Sequence, residues 1–451
     1  MVQVDNEVRI KEVEPLRNMG FWVIWAAGVG AVVGDGIFLL LGQGIQVAGP
    51  SAAIAFLVAG LIQMSMMIGL GEMAVAMPAA GAMTVWVERF MGKWWGFFAG
   101  FAYAFGWVIT GGSIGLAIGR FTCWFFPSLN VNTWTIIFAI FWLTVLAIMN
   151  ILGTAIAAKA QLGLVLVLVG IMAVFGILGL SHIDPVNYKP FMPFGFAGFA
   201  AALPLGTYAY MGAVTIATTG SECKKPKDLG KAIVWASITF LAIYTIDQLV
   251  VEGIIPWQQV GMDASPFTTA AAKIFGYYGG FILNIAAWIA AFTSLLMGTF
   301  YSASRIFYQS AIEGYMPKFF GYLHPKTRTP IWGIIAIYVF SVVACIIGIT
   351  NPDFLYVTLS TQVVVAWILS WGLALVCGVM FKTKHKDEIE QAGWKQPLFP
   401  LFPVIGLGGC VYVLYLSFQG EAGIPTLIAA AVWIGLLAIY YFCTVKKRVS
   451  A

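Results

Sequence analysis

Apolar runs of about twenty residues, separated by short polar loops, recur along the chain from Phe21 to Val445. A helix of that length crosses a bilayer, whereas a membrane-spanning β-strand needs only about ten alternating residues. The pattern therefore predicts an all-α polytopic membrane protein of about twelve spans. Their approximate limits are 19–47, 51–76, 94–126, 134–151, 155–180, 203–222, 233–254, 280–309, 331–349, 354–381, 401–418 and 424–441, numbered here as spans 1 to 12.

Span 1 contains the sequence GVGAVVGDGIF (28–38), with four glycines and one carboxylate, Asp35. Each glycine weakens a helix by up to about 1 kcal/mol, and a carboxylate in the bilayer costs a few kcal/mol more. An interrupted helix that lines a protected polar cavity explains both features. The alternative is a contact between helices through small residues, with Asp35 as a cap.

Span 6 has a similar composition, LPLGTYAYMGAVTIATTGSE (203–222), in which glycines, a proline, threonines and tyrosines favour unwound backbone. Span 1 opens one group of five spans, and span 6 opens the next. Breaks at matching positions of two halves indicate an inverted-repeat secondary transporter with its site at the bilayer midplane.

The composition excludes an ordinary soluble globule: 61% of the residues are hydrophobic and 10% charged, against about 25% charged in soluble domains. Residues 1–18 mix acids and bases without a cleavage site, so we expect span 1 to be retained. The six single cysteines argue against a disulfide framework or zinc site. The sequence also contains no nucleotide-binding loop and no catalytic constellation, and we expect a non-enzyme without cofactor or metal.

The net charge of +5 is explained by its distribution over the loops. Twenty-one of the 24 lysines and arginines fall on the side that holds both termini, and Arg120, Lys189 and Lys273 fall on the other. This bias predicts cytoplasmic termini and an even number of spans, and it argues against nucleic-acid binding.

Three other polar features are ambiguous. Glu72, at the inner end of span 2, either pairs with a loop base and caps backbone or belongs to a cytoplasmic gate. Asp247 lies in the interior of span 7 and is a candidate coupling residue. The small residues from Gly106 to Gly111 in span 3 allow either close helix packing or the approach of a ligand.

Four blocks together resemble the amino acid, polyamine and organocation (APC) superfamily, in its amino acid permease branch, over residues 19–445. They are GDGIF (34–38), GEM to Gly81 (71–81), GSECKKP (220–226), and Ser304-Arg305 through Met316-Pro317 to Thr329-Pro330. The resemblance implies a five-plus-five inverted repeat with broken helices 1 and 6, two extra helices, and alternating access by rocking of spans 1, 2, 6 and 7. It divides the chain into segments 1–18 (cytoplasmic), 19–180 and 195–381 (the repeats), 382–445 (a loop and spans 11 and 12) and 446–451 (cytoplasmic).

Carried over by position, the resemblance implies a substrate site in which Tyr208 is an aromatic gate and 296–299 form the far wall. The implied site residues are Val32, Gly34, Asp35, Gly36, Gly106, Trp107, Gly111, Tyr208, Met211, Gly212 and Ala213. Three positions depart from relatives: Asp35 replaces a small residue, Val214 replaces a glutamate of several relatives, and 164–169 lack the lysine that many carry in span 5. The last departure leaves ion coupling open.

The leading hypothesis is a plasma-membrane or inner-membrane transporter of amino acids, driven by proton symport or exchange, as a monomer or homodimer in the lipid bilayer. The alternative within transporters is an amine or polyamine carrier in which Asp35 binds the ammonium group. A transporter-like sensor or a channel is a different class; the short termini and the few buried acids argue against both. Asp35 itself has three candidate roles: carrying the transported proton, binding an amine, or satisfying the backbone of the break.

Overall fold

The computed structural model describes residues 14–261, 265–350, 359–419 and 423–450, except for the side chains of Asp35, Leu39, Val449 and Ser450. Within this part of the chain, ten helical stretches are long and apolar enough to cross a membrane, and Leu401–Ser417 is a shorter apolar helix. The predicted all-α polytopic fold is confirmed.

The first half of the chain contains helices α1 (Phe21–Val32), α2 (Asp35–Ala48), α3 (Ala52–Ala76), α4 (Met83–Met91), α5 (Lys93–Trp124), α6 (Val131–Leu152) and α7 (Thr154–Gly179). The second half contains α8 (Gly195–Ala209), α9 (Thr215–Thr218), α10 (Lys227–Ile254), α11 (Trp257–Val260), α12 (Pro266–Thr293), α13 (Ala303–Ile312), α14 (Ile331–Thr350), α15 (Ser360–Lys384), α16 (Lys386–Ala392), α17 (Leu401–Ser417), α18 (Gly423–Tyr440) and α19 (Lys446–Ser450). Short 3₁₀ turns occupy Gly49–Ser51, Leu180–His182, Pro185–Tyr188, Gly220–Glu222 and Lys318–Gly321, and π-helical stretches occupy Ser294–Ser302 and Tyr441–Val445.

Most predicted spans match one helix to within a few residues, and the exceptions have physical causes. Spans 1 and 6 are each divided in two, as their glycine content predicts. The helical stretch α12 consists of two helices that meet at Gly276, whose backbone (φ 67°, ψ −162°) is not helical. Predicted span 8, which starts near 280, corresponds to the second of these helices. Residues 354–358 of predicted span 10 lie outside the described residues.

The broken spans lie at the centre of the bundle. Every residue of α1 from Ile24 to Val32 is buried, and α1 packs against α10 and α7 while α2 packs against α8. By contrast, α18 exposes apolar side chains such as Leu436 and Ile439, which suits contact with lipid. Irregular backbone at membrane depth is tolerated only inside protein, and the packing meets that requirement.

The two broken spans are also joined where span 1 begins. The Met19 amide donates to the Glu222 carbonyl (3.0 Å), and the Lys224 amide donates to the Met19 carbonyl (2.8 Å). We call the end of the bundle where α1 begins the N-terminal side and the other end the opposite side. On the N-terminal side, the start of one broken span is held against the end of the other.

Candidate functional site

The break in span 1 is formed by Val33 and Gly34, which are not helical. Where a helix stops, its last carbonyls and the first N–H groups of the next helix lose their intrahelical partners. Two of these carbonyls bind hydroxyl groups from other helices: Ser294 Oγ donates to Ala31 O (3.1 Å), and the Tyr244 hydroxyl donates to Val32 O (2.8 Å). The end of α1 is therefore fixed by side chains from the opposite half of the chain.

The break in span 6 covers Tyr210 to Val214, between α8 and α9, and it crosses the first break at very short range. A Cβ atom at Gly212 would overlap the carbonyl group of Ala31, and a Cβ atom at Gly36 would lie 2.7 Å from the Cα of Ala209. Glycine is required at both positions, because main chain meets main chain there.

A small cavity lies where the breaks cross. The cavity has a volume of about 20 Å³ for the centre of a water molecule, which is room for about one water molecule. None of its described lining side chains is charged. The lining consists of Ala31, Val32, Gly34, Gly36, Trp107, Thr110, Ile114, Tyr208, Ala209, Met211, Gly212, Ser294 and Trp367.

Seven of the eleven predicted site residues line this cavity: Val32, Gly34, Gly36, Trp107, Tyr208, Met211 and Gly212. Gly106, Gly111 and Ala213 do not. Gly106 accommodates the Trp367 ring and Gly111 accommodates Ser341, so both glycines allow close packing between helices. Asp35 is the first residue of α2, and its side chain lies outside the described part of the structure.

The far wall differs from the expectation. Ser294, at the start of the π-helical stretch, lines the cavity in place of residues 296–299; the Leu296 carbonyl instead accepts from Asn150 Nδ2 (3.2 Å). Sequence reasoning also missed Trp367 on α15. Both residues belong to helices that are remote in sequence from the breaks, so no local signal pointed to them. Ala31 and Ala209 also line the cavity, and their position beside the glycine-rich breaks could have identified them from the sequence.

An aromatic wall on one side of the cavity joins α5 to α15. The rings of Trp107 and Trp367 lie 4.9 Å apart, and Trp367 Nε1 donates to the Tyr103 carbonyl (2.8 Å). A Cβ atom at Gly298 would overlap the Trp107 ring, so this glycine gives the indole its place. The wall presents flat apolar surface to whatever occupies the cavity.

Tyr208 separates the cavity from a second space. Its ring lines both the central cavity and a space of about 110 Å³ on the opposite side. The hydroxyl lies 3.2 Å from Ser113 Oγ on α5, so a contact with another span holds this side chain between the two spaces. The lining of this outer space also includes Leu40, Gln43, Pro204, Leu205, Ser360, Thr361 and Val364.

A buried ion pair lies on the N-terminal side of the bundle. Arg305 Nε and Nη2 donate to Glu222 Oε1 at 3.0 and 2.9 Å, and the two side chains are 3% and 2% exposed. The guanidinium also lies 3.8 Å from the centre of the Tyr301 ring. Arg305, counted with the charges on the side of the two termini, is buried in α13. The ion pair itself is not predicted by the sequence, although both residues lie in the blocks that carry the resemblance.

The two other predicted carboxylates lie away from the cavity. Glu72 accepts hydrogen bonds from Lys382 Nζ and from the Gln396 amide (2.9 Å), so it pairs with a base and caps backbone. Asp247 is buried on α10 against Gly176 of α7. Neither contributes to the lining of the cavity.

Comparison with known proteins agrees with this architecture. The amino acid permease family matches residues 23–450. The chain is similar to the amino-acid permease RocE of Bacillus subtilis (27% identity, 96% of each chain) and the branched-chain amino acid permease BcaP of the same organism (23%, 96% of this chain and 94% of the relative). It is also similar to the L-asparagine permease of Escherichia coli K12 (26%, 96% and 89%). The chain, with two broken helices meeting at a central cavity, belongs to the amino acid permease family and is a multi-pass membrane transporter rather than an enzyme.

Proposed function

We propose that this protein is a secondary active transporter that moves neutral amino acids across the cell membrane by alternating access. The observation that carries the proposal is the position of the cavity, which lies between the ring of Tyr208 on one side and the buried Glu222–Arg305 pair on the other. Each closure joins elements that the rocking of spans 1, 2, 6 and 7 would separate. We place the N-terminal side in the cytoplasm, on the charge bias of the loops.

The ends of the half-helices supply the recognition chemistry. The first turn of α2 presents free N–H groups and roughly half a positive charge, which favours a carboxylate. The last carbonyls of α1 and α8 favour an ammonium group. Trp107, Ile114 and Met211 leave an apolar surface for the side chain of the substrate. The lining matches a neutral amino acid best in its chemistry, because the described lining side chains carry no charge. Since the cavity has room for about one water molecule, the proposed rocking of the spans must widen it before a substrate enters.

The inverted repeat of 19–180 and 195–381, with 382–445 outside it, is part of the same proposal. The two breaks occupy the first span of each proposed repeat, and their crossing brings the repeats together at the cavity. Energy would come from proton symport or from substrate exchange.

Counterflow into proteoliposomes tests the function directly. Vesicles loaded with one unlabelled amino acid should accumulate the same labelled amino acid, and neutral amino acids should exceed amines and polyamines at least tenfold. Accumulation of no amino acid would contradict the proposal.

The amine-carrier alternative has one supporting observation: Asp35 stands between Gly34 and Gly36, which both line the cavity. If the cargo is an amine, counterflow should favour amines, and Asp35→Asn should abolish their binding at every pH. If the cargo is a neutral amino acid, Asp35→Asn should retain exchange. The same vesicles therefore separate the two functions.

A further inference from the structure

The outer half of α10 carries buried polar atoms that the cavity does not use. Asp247 Oδ2 and both amide atoms of Gln248 have no hydrogen-bond partner, and the Glu252 carboxylate has none except the main-chain amide of Ala53. The three side chains are 1%, 0% and 0% exposed. An unpaired polar group in an apolar interior costs about 1–3 kcal/mol and a lone charge far more, so a stripe of this kind requires an explanation.

Gln248 and Glu252 share one face of the helix with Tyr244. Tyr244, Gln248 and Glu252 follow one another at intervals of four residues, which places them on the same side of α10. Tyr244 bonds the carbonyl of Val32 at the first break, and Glu252 lies two residues before the end of α10 on the opposite side. The stripe therefore runs from the first break to the outer end of the span.

The surroundings of Glu252 contain few charges. On α3, the main-chain amide of Ala53 at the N-terminus of the helix donates to the Glu252 carboxylate, and the helix dipole favours an anion there. The titratable neighbours are Tyr188 and Asp184 in the loop before α8, Lys273 on α12, and Asp247 on α10 itself, beside Gly176 of α7. Burial and, secondarily, the charge of Glu252 raise the pKa of Tyr188 to about 12. No described cation forms an ion pair with Glu252, since the Lys273 ammonium binds the Ile254 carbonyl instead (2.9 Å).

We propose that Glu252, with the adjacent Gln248 amide, is the proton-binding site that couples net transport, and that it is loaded from the opposite side of the membrane. This inference rests on the proposed transport function. A proton taken from the aqueous phase forms one O–H bond on a carboxylate oxygen, and that bond breaks when the proton leaves to the other phase. The Gln248 amide can accept from the protonated acid or donate to the carboxylate.

The hydrogen bonds of α10 explain how protonation of Glu252 could affect the cavity. Its outer carbonyls are held by the loop before α8: the Tyr188 hydroxyl donates to Leu249 O (2.6 Å), and Asn187 Nδ2 donates to Gly253 O (2.8 Å). Tyr244 bonds the same helix to the first break. A change of charge at Glu252 therefore acts on a helix that is hydrogen-bonded to the outer loop at one end and to the first break near its middle.

The test uses the full chain in proteoliposomes with a pH-sensitive dye inside, and the best substrate from the counterflow panel. Wild type should move protons when substrate is added. In Glu252→Gln the rate of proton movement should fall at least tenfold, while the rate of substrate exchange should stay within about twofold of wild type. Glu390→Gln, which removes an exposed carboxylate of α16 that pairs with Lys395, is the control and should behave as wild type.

Each other outcome decides the matter. Proton movement at the wild-type rate in Glu252→Gln overturns the inference. Two results with the wild-type protein also overturn it: uptake driven by a sodium gradient, and exchange that is not accompanied by proton movement. If Glu252→Gln does not exchange at all, Glu252→Asp must retain both exchange and proton movement with a shifted pH midpoint; exchange without proton movement in that variant also overturns it. Absence of exchange in wild type contradicts the transport proposal itself.

Discussion

Replacing Arg305 with methionine tests the closure on the N-terminal side. The substitution keeps a long apolar side chain but removes the hydrogen bonds to Glu222 and the contact with the Tyr301 ring. Glu222 then remains a buried carboxylate without a cation. In the alternating-access proposal, α9 separates from α13 when the transporter opens to the cytoplasm, and water then reaches Glu222.

The size of the effect follows from the burial of the pair. Removing one partner of a buried ion pair costs about 3–5 kcal/mol, because the other charge stays unpaired. The open state escapes this penalty through hydration, so the variant should favour it. At about 1.4 kcal/mol per factor of ten, the ratio of open to closed molecules should rise by about two to nearly four orders of magnitude.

Cys223 reports this opening. It directly follows Glu222, it is 1% exposed, and burial raises the pKa of its thiol to about 11 from the ordinary 9.0. At pH 8 about one thiol in a thousand is then the reactive thiolate, against about one in ten for an unburied group. Opening should therefore increase both access and reactivity. Labelling of Cys223 by an impermeant maleimide from the cytoplasmic side should accelerate at least a hundredfold in Arg305→Met, measured with the exposed Cys443 replaced by serine.

Arg89→Met provides the matched control. Arg89 pairs with Glu388 at 2.6 Å, but the two side chains are 37% and 39% exposed, and such surface pairs contribute only about 0–1 kcal/mol. Labelling in this variant should change by less than about fivefold. A wild-type labelling rate in folded Arg305→Met would refute the reasoning, and equal acceleration in both arginine variants would show general destabilisation rather than opening of a gate.

Two further substitutions test the cavity itself. Gly212→Val places side-chain atoms on the Ala31 carbonyl and should lower transport at least a hundredfold, whereas Gly163→Val, where a Cβ meets open space, should leave uptake within about twofold; equal activity of the two variants would contradict the crossing of the breaks. Tyr208→Ala should raise the apparent KM or uncouple exchange, and Tyr208→Phe, which keeps the ring but loses the Ser113 contact, should do so less; a lower melting temperature with unchanged kinetics would instead mark Tyr208 as a packing residue.

The sequence predicted those parts of the molecule that depend on local composition. Helix length and hydropathy located the spans, and the glycines of 28–38 and 203–222 located both breaks, because an interrupted helix leaves a local signature. The Glu222–Arg305 pair was not predictable in this way, since its partners are 83 residues apart and each resembles an ordinary loop charge. Glu252 escaped notice for a similar reason: its burial depends on how α10 packs against α3 and the loop before α8.

The crossing of the two breaks has a consequence for how such a protein changes over evolution. Gly36 and Gly212 bring main chain against main chain, and this contact does not depend on the identity of the surrounding side chains. Residues such as Ile114 and Met211 can therefore be exchanged while the framework of the cavity persists. A lineage can acquire a new cargo preference by a few substitutions at those positions, and an engineer who wishes to alter selectivity should randomise them and leave the glycines untouched.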